Sequence, residues 1–214
     1  PIRCNEERPS PFHLHNMDHG MMNETSSLLL CFGDSNTWGF DPRGGRYPAT
    51  LCWPQQLAQR LNRPLQLEGR PGRTLWFARS QSGLEPGFED WQRCLRARPA
   101  DLVLALGIND LAAGATPQQC QQALEHYLQA WQELAPSCGL TLIAPAPLGR
   151  LTAGWQTLFA GQLQASQELG ALWLATARKW HVPCYQMDRH FCPGADGLHW
   201  TTEFHDQLAR ELAS

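Results

Sequence analysis

The chain alternates short, continuous apolar runs with longer stretches in which apolar residues recur every three or four positions. The apolar runs predict strands buried on both faces, and the amphipathic stretches predict helices. The predicted strands cover residues 28–32, 65–67, 102–106, 140–144 and 182–186. Because helices fill the connections between strands, the sheet should be parallel, with right-handed crossovers and helices on both faces. The alternation therefore predicts one three-layer α/β/α domain.

The clearest predicted helix follows Thr116, whose hydroxyl can cap it while Pro117 occupies the first turn. Gln119 stands three residues after the cap, as a capping box requires. Further helices are predicted over residues 53–61, 86–95, 162–180 and 202–212.

Charge and hydropathy narrow the class of partners. The chain of 214 residues has 17 Lys and Arg against 20 Asp and Glu, a net charge of −3. Non-specific nucleic-acid binding and a polybasic membrane patch both need a cationic surplus, so neither fits. No segment reaches the roughly 20 apolar residues of a membrane span, and no signal peptide is recognisable. We expect a cytoplasmic protein with a small-molecule substrate, and a homo-oligomer stays open.

The first 27 residues differ from the rest. Residues 1–27 are polar and aperiodic, which predicts a disordered leader, either native or added for expression, before a domain of residues 28–214. The native start is expected near Met21 or Met22. The eight Cys contain no CxxC pair, and most lie in apolar stretches. We expect buried thiols in a reducing compartment rather than a disulfide framework.

Polar residues follow two of the predicted strands, at the edge where ligands bind in an open parallel sheet. The first strand leads into a Gly-Asp-Ser sequence that would place Ser35 at a helix start, with its hydroxyl in the cleft. The third leads into Gly-Ile-Asn-Asp, where the carboxamide of Asn109 can donate to an oxyanion. Each sequence alone is explained as well by an ordinary turn or helix cap.

Two further loops carry candidate site residues. Gly72, after the second strand, lets the backbone approach a ligand and offer its N–H. In the last loop, Asp196 and His199 are three residues apart, so the carboxylate can meet Nδ1–H and leave Nε2 to take a proton. The strand ends together supply a nucleophile, a base with its orienting carboxylate, and oxyanion donors. That combination predicts an acyl-transfer site.

In this order, the four sequences resemble the conserved blocks of the SGNH (GDSL-type) hydrolases, named for the residues that match Ser35, Gly72, Asn109 and His199. The resemblance extends over nearly all of the chain after the leader. It implies a flavodoxin-like fold with a five-stranded parallel sheet, and serine esterase or acyltransferase chemistry without a metal or cofactor. The opening GDSNTWG is most similar to the arylesterase and acyltransferase branch.

The resemblance also implies roles for individual residues. Ser35, Asp196 and His199 would be catalytic, and the N–H groups of Ser35 and Gly72 would form the oxyanion hole with the amide of Asn109. Two positions depart from the family pattern, which often has Leu at position 36 and Ser or Ala at position 71, where this chain has Asn and Pro. Proline stiffens its loop but leaves the N–H of Gly72 available.

Two of the nine Trp stand beside these residues in the sequence. Trp38 follows the predicted nucleophile and Trp200 follows the predicted base, so both are candidates to line a substrate pocket. Core packing explains them equally well.

The sequence therefore predicts a serine esterase that hydrolyses, or transfers, short acyl or aryl esters. The alternative within this chemistry is a carbohydrate O-acetylesterase, because the same groups can attack sugar acetates. A zinc protein is a different class, but its candidate ligands fit no compact zinc motif; they are His181, Cys184, His190, Cys192 and His199. A non-catalytic binding domain is disfavoured because no triad residue is missing, and phosphate binding because no Gly-rich phosphate motif is present.

Overall fold

The computed structural model describes residues 27–187, 191 and 193–214. Its strands are β1 (Leu29–Gly33), β2 (Leu65–Gly69), β3 (Arg73–Thr74), β4 (Glu85–Pro86), β5 (Asp101–Ala105), β6 (Gly139–Ile143) and β7 (Cys184–Tyr185). Its α-helices are α1 (Ser35–Trp38), α2 (Trp53–Leu61), α3 (Phe88–Arg96), α4 (Ile108–Ala112), α5 (Pro117–Leu134), α6 (Ala153–Leu158), α7 (Leu163–Trp180) and α8 (Thr202–Ala213).

The main sheet has five parallel strands in the order β2-β1-β5-β6-β7. Gly33 at the end of β1 is level with Gly69 of β2 and Ala105 of β5. Ala105 is in turn level with Ile143 of β6. The carboxyl ends of four strands therefore meet at one edge, where the loops that follow them come together.

Two hydrophobic cores cover the two faces of the sheet. On one face, Leu29 and Cys31 pack with Trp53 of α2 and Leu208 of α8. On the other, the alternate residues of β1 belong to a larger core, whose members on helices α3, α5 and α7 include Trp91, Tyr127 and Trp173. This alternation confirms the predicted three-layer α/β/α architecture and the five-stranded parallel sheet.

The helix after Thr116 begins as predicted. The Thr116 hydroxyl accepts a hydrogen bond from the Gln119 N–H at 3.2 Å, and the Gln119 side chain accepts one from the Thr116 N–H at 2.8 Å. The prediction over residues 86–95 was wrong at its start, because Pro86 lies in β4, paired with Thr74. The predicted last strand is shorter than expected, since only Cys184 and Tyr185 pair with β6.

Several predictions concern residues beyond the described part of the chain. The proposed leader lies outside it except for Ser27, and so do Cys4 and Cys192. The six described Cys form no disulfide with one another, and five of them are buried. Within residues 27–187, 191 and 193–214, no helix is long and apolar enough to cross a membrane.

The buried His205 of α8 makes the stability of the fold sensitive to acid. Its Nδ1 accepts a hydrogen bond from the Trp53 N–H at 3.2 Å, while its Nε2 has no partner among the described residues. Burial lowers the pKa of His205 to about 4. Between the usual pKa near 6.5 and this value, the unfolded chain binds a proton that the folded chain excludes. The free energy of unfolding therefore falls as the pH falls through this window.

Replacing His205 with Asn should remove this sensitivity, because Asn can accept from Trp53 but does not titrate. We expect the destabilisation caused by His205→Asn at pH 6.5 to shrink by about 1.5 kcal/mol at pH 5.0, because the unfolded histidine is half protonated at pH 6.5 and the slope approaches roughly 1.4 kcal/mol per pH unit only below it. Urea unfolding of both proteins at the two pH values measures this difference. A destabilisation that is equal at both pH values would contradict the assignment to His205.

Candidate active site

Ser35 occupies a tight turn between β1 and α1. A Cβ atom at Gly33 would collide with the Thr37 side chain and the Ala105 carbonyl, so only glycine fits there. Asp34 caps α1, its carboxylate accepting a hydrogen bond from the Asn36 N–H at 2.9 Å. Burial raises the pKa of Asp34 to about 6, against the opposing effect of this bond. Ser35 is thus fixed as the first residue of the helix, with 7% of its surface exposed.

A continuous chain of hydrogen bonds joins Ser35, His199 and Asp196. The Ser35 Oγ lies 2.9 Å from Nε2 of His199, and Nδ1 of the same ring lies 2.6 Å from Oδ2 of Asp196. An ionised carboxylate can only accept, so Nδ1 carries the ring proton and Nε2 accepts from the serine hydroxyl. All three residues are buried. The structure thereby brings together the three residues predicted to be catalytic, across 164 positions of sequence.

Asp196 is held as an anion in this position. Its Oδ1 accepts hydrogen bonds from the backbone N–H groups of Leu198 at 3.0 Å and His199 at 2.9 Å. Burial pushes the pKa of Asp196 upward, but these bonds and the one from the His199 ring outweigh it, and the pKa is lowered. A short loop thus closes on its own carboxylate and fixes the imidazole plane.

The predicted oxyanion donors follow three different strands, Ser35 at the start of α1, Gly72 in the loop after β2 and Asn109 in α4. Gly72 has a φ of +73°, and a Cβ atom there would meet the Gly83 carbonyl, so the turn requires glycine. In the described part of the chain, the backbone N–H groups of Ser35 and Gly72 donate no hydrogen bond. Asn109 Nδ2 donates to the Arg73 carbonyl at 3.0 Å, which uses one of its two hydrogens. All three residues therefore have an N–H left to offer to a ligand.

Arg73 is a structural residue of the site that the sequence analysis missed. It is only 3% exposed, and its guanidinium donates to the carbonyls of Gly33, at 3.0 Å, and of Glu68. It also donates to the Asp90 carboxylate at 3.1 Å. Arg73 thus ties the loop of Gly72 to the ends of β1 and β2. A buried arginine could not have been distinguished from a surface one by its neighbours in sequence.

Asp110 fixes the next part of the same loop. Its carboxylate accepts hydrogen bonds from the backbone N–H groups of Leu75 at 2.8 Å, Trp76 at 3.0 Å and Phe77 at 3.3 Å. Burial raises the pKa of Asp110 to about 6, although these three bonds act in the opposite direction. The residue after Asn109 therefore holds the segment that follows Gly72, and the two loops are joined side by side.

The aromatic rings of Phe40 and Trp155 contact His199, and neither was predicted as a substrate-binding residue. The Phe40 ring stacks on the imidazole with centroids 4.1 Å apart, and the Trp155 ring meets it edge-on at 5.3 Å. Trp38 packs against Phe40 at 6.4 Å and carries the Arg46 guanidinium on its ring. Trp200 is 3% exposed and packs in the core against Phe204 at 5.2 Å. Its backbone N–H donates to Oδ1 of Asn36 at 3.0 Å, and the residue also borders a small pocket beside Asp34 and Asn36, so its role in binding substrate stays a prediction.

The candidate zinc ligands do not come together where the structure describes them. His190 and Cys192 lie outside the described residues. His199 is engaged by Ser35 and Asp196. Among the described residues, no three His, Cys, Asp or Glu side chains form a group that could hold a metal ion.

The parallel sheet and the Ser–His–Asp chain at its carboxyl edge are the features of an α/β acylhydrolase. The chain belongs to the GDSL-like lipase/acylhydrolase family, whose model matches residues 31–207. No curated protein matches the chain significantly.

Solved structures show the same fold over most of the chain. The native M. smegmatis aryl esterase is 25% identical with a TM-score of 0.77, covering 87% of this chain and 96% of that one. The carbohydrate acetylesterase Est24 from Sinorhizobium meliloti is 26% identical with a TM-score of 0.79, and the coverage is again 87% and 96%. Both kinds of esterase are therefore similar to this chain to the same degree.

Asn109→Ala should lower kcat by about 10²- to 10³-fold, because it removes one donor to the oxyanion. The matched control is Asn36→Leu, which changes a second buried Asn of the same cleft to the residue common in the family. We expect Asn36→Leu to lower kcat less than about tenfold, because the Asn36 carboxamide accepts a hydrogen bond from the Trp200 backbone N–H. Steady-state hydrolysis of a nitrophenyl ester measures both. Equal losses in the two variants would argue against an oxyanion role for Asn109.

Proposed function

We propose that this protein is a serine carboxylic ester hydrolase that acts on short acyl or aryl esters through an acyl-enzyme on Ser35. The observation that carries the proposal is the unbroken chain from the Ser35 hydroxyl through His199 to the Asp196 carboxylate. Membership of an acylhydrolase family supports it. So do the N–H groups of Ser35, Gly72 and Asn109 that have no acceptor among the described residues.

The first half of the reaction forms the acyl-enzyme. As the Ser35 Oγ attacks the ester carbonyl carbon, Nε2 of His199 takes the hydroxyl proton. Asp196 holds the ring in the tautomer that can accept this proton, and its charge stabilises the imidazolium that forms. The carbonyl oxygen becomes an oxyanion, which accepts hydrogen bonds from the N–H groups of Ser35 and Gly72 and from Asn109.

The second half releases the products. His199 gives its proton to the leaving alcohol as the C–O bond breaks, which leaves the acyl group esterified to Ser35. A water then attacks this ester while His199 takes one of its protons, and collapse of the second tetrahedral intermediate returns the hydrogen to Ser35. An acceptor alcohol in place of water would give acyl transfer by the same steps.

The surroundings of His199 favour a small acyl or aryl group. Ser35 lies in a buried turn, and Phe40 and Trp155 place two aromatic rings against the imidazole. Flat apolar rings suit an aryl or short alkyl group better than a charged one. Similarity to an aryl esterase supports this substrate class. Equal similarity to a carbohydrate acetylesterase supports sugar acetates as the second candidate.

The experiment is a substrate profile of the purified full chain. Nitrophenyl esters from acetate to dodecanoate, phenyl acetate and acetylated xylan would be compared by kcat/KM, with Ser35→Ala as the background control. We expect kcat/KM to be highest for the acetate and butyrate esters and to fall as the chain lengthens. A maximum at decanoate or dodecanoate would contradict the short-acyl assignment, and turnover by Ser35→Ala equal to the wild type would contradict the whole proposal.

A further inference from the structure

An open cavity lies beside the loop that carries Gly72. It is an open groove of about 580 Å³ between the β3–β4 ribbon and the start of α3. Its lining includes Arg70, Trp76, Ser80, Glu85, Phe88 and Glu89. None of these residues belongs to the Ser–His–Asp chain, so the groove is a separate surface.

Trp76 presents a rigid aromatic ring to this groove. It is 47% exposed, and it is the one aromatic among the large, strongly exposed apolar side chains of the described residues. Its backbone N–H is bound by Asp110, and its ring packs on His126 and Phe88 with centroids 5.2 and 5.1 Å away. An indole this exposed does not gain the free energy of burial, and its contacts with His126 and Phe88 fix its position. A fixed, exposed ring is suited to stacking with a ligand.

The groove is built on the same loop as the oxyanion donor. The Glu85 N–H donates to the Gly72 carbonyl at 3.1 Å, and the Arg70 N–H donates to the Gly33 carbonyl at 3.1 Å. Asp110, which holds the Trp76 backbone, directly follows Asn109 in the chain. The groove and the oxyanion donor Gly72 are therefore attached to the same loop.

The polar groups of the groove favour an uncharged ligand rich in hydroxyls. Arg70 is within 4.0 Å of the Glu85 carboxylate and 3.7 Å of the Asp90 carboxylate, so its charge is already balanced. The Ser80 hydroxyl and the Glu89 carboxylate add a donor and acceptors beside the Trp76 ring. A sugar ring has both an apolar C–H face for the indole and hydroxyl groups for the charged and polar side chains.

We propose that this groove binds a sugar ring of an acetylated carbohydrate, with Trp76 as the stacking platform. The proposal rests on the proposed ester hydrolysis and names the alcohol part of its substrate. Because the groove stands beside the Gly72 loop, it would bind sugar units next to the one whose acetate is attacked. It should therefore matter for oligosaccharide esters and not for small nitrophenyl esters.

The test compares Trp76→Ala and the matched Trp76→Phe, which keeps an aromatic ring, on two substrates. With acetylated xylo-oligosaccharides, we expect Trp76→Ala to lower kcat/KM at least tenfold, mainly through a higher KM. Trp76→Phe should lose less than about threefold. With nitrophenyl acetate, both variants should stay within twofold of the wild type. Equal losses on both substrates, or no loss on the oligosaccharide, would overturn the proposal.

Two further measurements separate this proposal from others. Calorimetric titration of the Ser35→Ala protein with unesterified xylohexaose should give heat of binding. Adding Trp76→Ala to that protein should abolish the heat, and this test does not depend on ester hydrolysis. If nitrophenyl acetate is hydrolysed but xylohexaose does not bind, the groove proposal fails while the esterase stands. Sedimentation of the wild type and Trp76→Ala should give the same mass. A lower mass for the variant would mean that Trp76 joins copies of this chain, which also overturns sugar binding.

Discussion

Ser35→Ala is expected to lower kcat for nitrophenyl acetate by about 10⁴- to 10⁶-fold. The Ser35 Oγ is the group that His199 can deprotonate, and it lies 2.9 Å from Nε2. The methyl group of alanine leaves the turn intact, because Asp34 caps α1 through the Asn36 N–H and not through the serine hydroxyl. The variant should therefore fold normally, with residual rate from water held beside the oxyanion donors. Stopped-assay kinetics at high enzyme concentration measures the remaining rate.

Ser166→Ala is the matched control for this variant. Ser166 is also a buried serine, and its hydroxyl bonds with the Leu163 carbonyl at 2.6 Å and the Leu148 N–H at 3.0 Å. Losing these bonds should lower the free energy of unfolding by about 1–3 kcal/mol, while kcat changes less than about threefold. Losses of similar size in Ser166→Ala and Ser35→Ala would mean that Ser35 acts through the fold and not as the nucleophile.

Asp196→Asn is the second change with a large expected effect, a fall of about 10³- to 10⁴-fold in kcat. The expected fall in kcat comes from a change in the tautomer of the His199 ring. An Asn at this position can turn its NH₂ toward Nδ1, which then becomes an acceptor, and the ring proton moves to Nε2. Nε2 would then face the Ser35 hydroxyl as a donor and could not take its proton. The turn should survive, since the amide oxygen can still accept from the Leu198 and His199 N–H groups.

Asp34→Asn is the control for removal of a buried carboxylate in the same cleft. Asn caps helices as well as Asp does, and Asp34 contacts the chain through the Asn36 N–H. We expect kcat to change by less than about tenfold. The pair is compared by kcat across pH 5 to 9. A loss in Asp34→Asn as large as in Asp196→Asn would show that Asp196 has no special link to the imidazole.

The sequence was informative where local chemistry decides the structure. Apolar runs ended by glycine marked β1 and β5, and Thr116 with Gln119 marked the start of a helix. The sequence also placed Ser35 and Asn109 directly after two strands, and parallel strands bring such residues to one edge. The spacing of Asp196 and His199 suffices for their contact, because both lie in one short loop.

The residues that sequence reasoning missed depend on contacts between distant segments. Phe40, which follows α1, and Trp155 of α6 meet at His199 from distant parts of the chain, and the sequence does not show that their rings contact the imidazole. Trp200 was a candidate for a pocket and for the core, and it packs in the core while bordering a small pocket beside Asn36. The buried position of Arg73 depends on the short β3–β4 ribbon, whose two-residue strands give no periodic signal.

The most direct test of Ser35 as nucleophile is covalent labelling with an alkyl fluorophosphonate, which reacts with activated serines as an ester does. Intact-mass spectrometry should show one adduct per chain, with ester hydrolysis lost in proportion to labelling. Peptide mapping should place the adduct on Ser35, and Ser35→Ala should stay unlabelled. An adduct on another residue, or full hydrolytic activity in completely labelled protein, would contradict the proposed acyl-enzyme mechanism.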